Sequence, residues 1–289
     1  MRKPFTPKQV SLAIGVSESS IKRWCDNGSI SAQYTTGGHR RITTSGLLIF
    51  LRSSRHDLSN PTAIGLPERL PITTMPREEL LKQIVESLVA GNETEVQQIA
   101  IELFLNEHSV AKICDDFIAP ALRQVGGLWK CSKIEVYQER LACKMSQQIL
   151  AELKSLVPVP SQDAPVAIGG APQGDQYSLP SSMVELTLRS CGWQSTSMGE
   201  NVPLASLAAA VRTYSPKLFW LSASHLESEN RFVIEFNQLY NEFGSQIPFV
   251  VGGQALTAEV RSRLPDVTFC SSLYQLTQHA TVLSGQTGY

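Results

Sequence analysis

The 289 residues predict a multidomain chain of α and α/β class: a winged helix-turn-helix, a four-helix bundle, then a doubly wound, Rossmann-like parallel sheet of five strands. Three observations carry this. Two short capped helical patterns precede a glycine-centred hairpin signal in residues 1–55, four amphipathic stretches fill 76–157, and strand and helix patterns alternate five times over 165–289. Residues 56–75 and 158–164, rich in Pro and poor in periodic apolar positions, read as linkers.

In the first part, Thr6-Pro7-x-Gln9 offers an N-cap, a proline for the first turn and a capping glutamine, opening a helix that runs to Ile14 and breaks at Gly15. Ser17 caps a second helix from Glu18 to about Asn27. Ile30–Tyr34 and Arg41–Thr43 flank Thr36-Gly37-Gly38-His39, a hairpin pattern, and Gly46–Arg52 forms a closing apolar helix. The bundle helices are expected near 77–90, 93–106, 109–126 and 134–156, with apolar positions such as Leu80, Leu81, Ile84, Leu88 and Leu141, Met145, Ile149, Leu150 three and four apart. The strands are expected near Val166–Gly169, Trp193–Ser197, Lys217–Leu221, Pro248–Val251 and Val267–Cys270, each leading to a helix. Ligands of such sheets bind at the carboxyl ends of the strands, where strand order reverses.

Charge sharpens the reading. Residues 1–55 hold nine basic side chains against two acidic ones, a balance of +7, so a chain of net charge −1 carries −8 in the remainder. A basic head on an acidic body suggests that the head meets a polyanion. No apolar run is long enough to span a bilayer and no secretory pattern opens the chain, so a cytoplasmic protein without a membrane partner is expected. The six cysteines are scattered, without metal-site spacing, and read as reduced structural thiols. Neither a nucleophile elbow, a P-loop nor a paired-metal cluster is present, so no catalytic residue is named and the chain is expected not to be an enzyme.

In a winged helix-turn-helix the second helix enters the major groove and the wing grips the flanking backbone. Ser19, Ser20, Lys22 and Arg23 occupy the outward part of that helix, with Arg23 placed to fork onto guanine. His39, Arg40 and Arg41 at the hairpin supply donors for phosphates. Double-stranded operator DNA is the expected partner. The run Gly15-Val-Ser-Glu-Ser-Ser-Ile-Lys-Arg-Trp24, followed by Thr36-Gly-Gly-His-Arg-Arg-Ile42, resembles the DNA-binding domain of MerR-type regulators.

The body is similar to the cobalamin-binding module of methionine synthases and corrinoid methyl carriers, and with its head the chain resembles the CarH/LitR type of regulator. That resemblance implies adenosylcobalamin as light-sensing cofactor and a homo-oligomer, dimer or tetramer. The family's sheet carries Asp-x-His-x-x-Gly, then Ser-x-Leu, then Gly-Gly. Here Asp175-Gln-Tyr177-Ser-Leu-Pro180 is followed after 41 residues by Ser222-Ala-Ser224 and after 27 more by Gly252-Gly253. The resemblance assigns Asp175, Tyr177, Ser222, Ser224, Gly252 and Gly253 to the cofactor's nucleotide tail, but the cobalt-ligating His has become Tyr177, a phenol that must lose a proton before it binds metal. On the bundle, Trp129 and Glu139 keep the family spacing, while Lys130 and Arg140 replace its histidines.

Two sensors follow. In one, a cobalamin without protein ligation, or another tetrapyrrole, stacks on Trp129 with Glu139 or Arg140 at its rim. In the other, Tyr177 fills the void, Trp129 is bundle core and the body serves assembly. His225 reads as a helix-start residue, with metal ligation the alternative. A corrinoid-binding methyl carrier or mutase-type protein is the competing function.

Overall fold

A computed structural model describes residues 4–54, 56–64 and 75–285. Its contacts divide the chain into two compact units, one of residues 1–109 and 120–157 and one of 110–119 and 158–289. Among the described residues no helix is long and apolar enough to cross a membrane.

The first unit opens with α1 (Pro7–Ile14), where Thr6 and Gln9 form the expected capping box and Gly15 closes the helix at φ +76°. Ser17 caps α2 (Glu18–Asp26) by accepting from the Ser20 amide. The strands β1 (Ala32–Tyr34) and β2 (Arg40–Ile42) pair antiparallel with Tyr34 opposite Arg40. The helix after them, α3 (Thr44–Ser54), begins two residues before the predicted start, because Thr43 Oγ1 accepts the Gly46 amide. Val10, Ala13, Ile21, Ile30, Ile42, Leu47 and Leu48 are fully buried and form the core of this head.

The predicted linker 56–75 is partly structured. Leu58, Pro61 and Ile64 are buried, the Asn60 amide donates to the Ala13 carbonyl, and His56 lies against Trp24 and Phe50 at centroid distances of 5.0 and 5.7 Å. Residues 65–74 of that linker lie outside the described residues, as do the basic Arg2, Lys3 and Arg55.

The helices α4 (Arg77–Ala90), α5 (Glu93–Leu105) and α8 (Val136–Leu156) pack on one another, and α3 packs on α5 and α8. Leu80, Ile84, Leu88, Ile99, Leu103, Met145, Ile149 and Leu153 are buried as their spacing requires. The predicted helix 109–126 is instead a longer helical run with a π-turn at Cys114–Ile118 between α6 (Val110–Ile113) and α7 (Ala119–Lys130). Its first ten residues, 110–119, group with the sheet and not with the bundle.

The second unit is a five-stranded parallel sheet of β3 (Val166–Gly170), β4 (Gln194–Ser197), β5 (Leu218–Ser222), β6 (Phe249–Gly252) and β7 (Thr268–Phe269), in the order β4-β3-β5-β6-β7. Helices α9 (Ser178–Ser190), α10 (Leu204–Tyr214), α11 (Glu229–Phe243), α12 (Ala258–Arg261) and α13 (Leu273–Leu283) connect or follow the strands. Strand alternation sends Phe219 and Leu221 into one core with Leu207 and Phe236, and Leu218 and Trp220 into another with Leu188, Trp193 and Leu276. Strand order reverses between β3 and β5, so the loops after these two strands border the crevice where ligands of such folds bind. Asp115 explains why α6 joins this unit: its carboxylate accepts the Leu273 and Tyr274 amides at 3.1 and 2.9 Å and caps α13.

Candidate functional site

On the head, α2 presents Lys22 and Arg23 to solvent. Lys22 pairs with Glu18 at 2.8 Å across one helical turn, an exposed bridge that is easily exchanged for another anion. Arg23 has no side-chain partner among the described residues. The Ser19 and Ser20 hydroxyls are engaged: both bond Ser17 Oγ, at 2.8 and 2.9 Å, within the helix cap. In the hairpin, His39 is exposed and Arg41 half-buried. Arg40, expected as a phosphate donor, is paired within the head. Its Nε and Nη2 both donate to Asp26 Oδ1, at 2.9 and 2.7 Å, and this pairing holds the guanidinium above its ordinary range.

In the helical part, Trp129 at the end of α7 is 45 % exposed, which excludes it from the bundle core. It shares the α7–α8 end of that unit with exposed Val136, Tyr137 and Leu141, and a Cβ at Gly126 or Gly127 would meet nothing within 4 Å. Two helix-interior glycines cost about 1 kcal/mol each relative to alanine, and no neighbouring atom requires them. The Glu139 carboxylate accepts from the Cys143 thiol at 3.3 Å and pairs with Arg140 Nε at 3.5 Å, while Arg140 and Lys130 face solvent. Burial first, and then the Glu139 charge, push the Cys143 thiol up to about 12, so it stays protonated and offers no thiolate.

In the sheet unit, the sequence-predicted Asp175, Tyr177 and Ser224 come together. Asp175 is fully buried; its Oδ1 accepts the Tyr177 amide at 3.0 Å and its Oδ2 accepts the Ser224 and His225 amides at 2.6 and 3.3 Å. One carboxylate thus ties the loop after β3 to the loop after β5. Tyr177 is 54 % exposed and sits at the N-cap of α9, so it fills no void. His225 lies in the β5 loop, four residues before α11, and is not a helix-start residue. Ser222 is buried and pairs with Gly252 in the β5–β6 register. Gly253, at φ +115°, packs on the chain itself: a Cβ there would lie 2.1 Å from the Ala223 carbonyl oxygen. Gly253 thus lets the chain pass Ala223, while Gly252 ends β6 with its Cα facing the Cys270 carbonyl.

Residues 80–154 match the family model of the B12 binding domain. The chain is 26% identical over 197 residues, 68% of its length, to the HTH-type transcriptional repressor CarA of Myxococcus xanthus, and the match spans 66% of that protein. It is 24% identical over 151 residues, 52% of its length, to dimethylamine corrinoid protein 1 of Methanosarcina acetivorans, spanning 70% of that protein. The fold resembles the monomethylamine corrinoid protein of Methanosarcina barkeri at 15% identity and TM-score 0.58, covering 72% of this chain and all of the other. The helical half thus carries a B12-type domain sequence, and the chain has repressors and corrinoid proteins as distant relatives.

The residues of the sheet half do not fit a cobalamin ligated from below by an imidazole. The ligand position holds a phenol, both Asp175 oxygens are spent on backbone amides, and Gly253 is closed against Ala223. Sequence reasoning missed Trp220, which fills the face beside Gly169: a Cβ on that glycine would lie 2.3 Å from the indole Cδ2. Trp220 is 1 % exposed, and its Nε1 has no partner among the described residues. A bulky aromatic two residues before Ser222 was the available signal.

Proposed function

We propose that the chain is a sequence-specific DNA-binding transcriptional regulator, MerR-type at its head, whose B12-type module governs self-association and has lost imidazole ligation of cobalt. The observation that carries the reading is the basic face of the head, with exposed Lys22 and Arg23 on α2 and exposed His39 beside half-buried Arg41 on the hairpin. A helix of this kind delivers Arg23 to base edges while the hairpin donors neutralise phosphates. The relationship to the CarA repressor supports the same direction. One head reads one half-site, so assembly through the body raises affinity by making the second contact intramolecular. We assign the chain no catalysis.

The full chain is tested on duplexes selected from a random-sequence pool and on scrambled duplexes, in darkness and light, with and without adenosylcobalamin. Tighter binding of the selected duplex, falling linearly on a log–log salt plot and indifferent to light, supports the reading. Failure to bind any duplex at low salt overturns it, and a light-dependent loss of binding overturns the loss of ligation.

The exposed Trp129 beside Gly126 and Gly127 favours a second reading, in which the helical face still stacks on a planar ligand. A visible chromophore surviving desalting after incubation with cobalamin or another tetrapyrrole supports it, and a colourless protein rejects it.

A further inference from the structure

The two hairpin strands have only three residues each, too few to hold a fixed orientation on their own ladder. Their open end is anchored by Phe5, which exchanges backbone hydrogen bonds with Ile42 at 2.7 and 2.9 Å. Nearer the tip the tether is Asp26, the last residue of α2. Its Oδ1 receives Arg40 Nε, Arg40 Nη2 and, at 3.3 Å, the Tyr34 hydroxyl, while the guanidinium lies 5.8 Å from the Tyr34 ring centroid. Tyr34 and Arg40 are cross-strand partners, so the tether grips both strands at one register position.

Strand alternation explains which arginine is left for a ligand. Arg40 shares its face with the fully buried Ile42, which turns toward the head, and Arg41 with its partner Gln33 lies on the opposite face. An aspartate beside a polyanion site repels the ligand, so its position at the end of α2 calls for a structural return.

We propose that Asp26 is a positioning residue for DNA binding: through Arg40 and Tyr34 it fixes the hairpin against α2, so that His39 and Arg41, and not Arg40, carry the phosphate contacts. This rests on the DNA-binding reading above. It also reverses an electrostatic expectation. Were Arg40 a phosphate donor, Asp26→Asn would free it and remove a negative charge, tightening binding. As a strut, Asp26→Asn loosens the hairpin and weakens binding.

The test uses the full chain and a fluorescent duplex selected by the wild-type protein, with the dissociation constant followed across a salt series. Asp26→Asn and Arg40→Ala are each expected to weaken binding about fivefold to tenfold, and the double variant no further than either one, as coupled partners do. Both keep the wild-type salt slope, whereas Arg41→Ala lowers it by about 0.9, the loss of one phosphate contact. Arg40→Lys keeps the charge but lacks the fork that spans Oδ1 from two nitrogens, so it fails to rescue. Tyr34→Phe gives a milder loss and serves if the Asp26 variant melts early. Hydrogen exchange of the free protein gives a second readout, with faster exchange of the Gln33–Arg41 amides expected in Asp26→Asn. Binding of Asp26→Asn at or above wild-type strength, full rescue by Arg40→Lys, or a slope reduced by about 0.9 in Arg40→Ala overturns the proposal. If wild type binds no duplex, the DNA-binding reading itself falls.

Discussion

Replacing Asp175 tests the join between the two loops that border the crevice of the sheet. Its carboxylate receives three backbone N–H groups, two from the β5 loop and one from the residue that opens α9. Bonds to a charged acceptor contribute about 1.5–3 kcal/mol each, and the 3.3 Å contact to His225 belongs at the bottom of that range. In Asp175→Ala the Ser224 and His225 amides recover some hydration, because Ser224 is half-buried and His225 exposed. The net cost expected is therefore about 3–4 kcal/mol, below the summed bond energies. Asn is no benign substitute. Both oxygens accept here, so the new amide NH2 must point at a backbone N–H on one side, and about 2–3 kcal/mol is lost. Urea unfolding followed by the fluorescence of buried Trp193 and Trp220 measures both variants, and hydrogen exchange reports whether the loops at 172–177 and 223–226 open together. A cost below about 1 kcal/mol for Asp175→Ala refutes the claim that this carboxylate holds the loops.

Gly253→Ala places a methyl against the Ala223 carbonyl at a φ that alanine rarely adopts, and a loss of about 3 kcal/mol or more in urea unfolding is expected. Arg23→Ala is expected to reduce the ratio of operator to scrambled-duplex affinity by about tenfold, the range of one bidentate base contact, as read by competition anisotropy. Asp115→Ala leaves the Ser272 cap of α13 in place but removes the acceptor of the Leu273 and Tyr274 amides; it is expected to cost about 1–2 kcal/mol, with faster exchange of those two amides. Glu95 accepts from Gln83, Ser87 and Asn92, which hold its carboxyl below the usual range. Its contribution is thus complete above the unfolded-state pKa and fades as pH falls through the lower folded value; Glu95→Gln is expected to flatten the loss of stability between neutral and acid pH by less than about 1 kcal/mol, since the group is only half-buried and solvent screens it.

Elements with a strong local signal were legible in the sequence. The capping box at Thr6–Gln9 and the break at Gly15 bound α1, and the apolar spacing of Leu80, Ile84 and Leu88 fixes the buried face of α4. Alternating strand and helix patterns gave the parallel sheet, although its strand order is a long-range property that no local pattern carries. What escaped depended on distant partners. Leu58, Pro61 and Ile64 have no period that marks them as core, yet the head buries them. The run 109–126 looks like an ordinary bundle helix until Asp115 meets the amides of residues 273 and 274.

The candidate sites divide the same way. Residue type and spacing singled out loops that meet, since Asp175, Tyr177 and Ser224 converge, but could not tell a side chain offered to a ligand from one consumed by its own fold. Arg40 and Arg41 are identical in type and adjacent in sequence, and only the pleat and one aspartate eight residues before Tyr34 separate a tether from an open cation. The same distinction governs the sheet half. The Asp, Ser and Gly-Gly pattern has work inside the protein itself: Asp175 joins two loops, Ser222 sits in the β5–β6 register, and Gly253 lets the chain pass Ala223. Tyr177, exposed and bonded only through its amide to Asp175, is the member with no such duty for its side chain among the described residues. That makes it the position free to change, and Tyr177→His the substitution expected to leave stability within about 0.5 kcal/mol of wild type in urea unfolding.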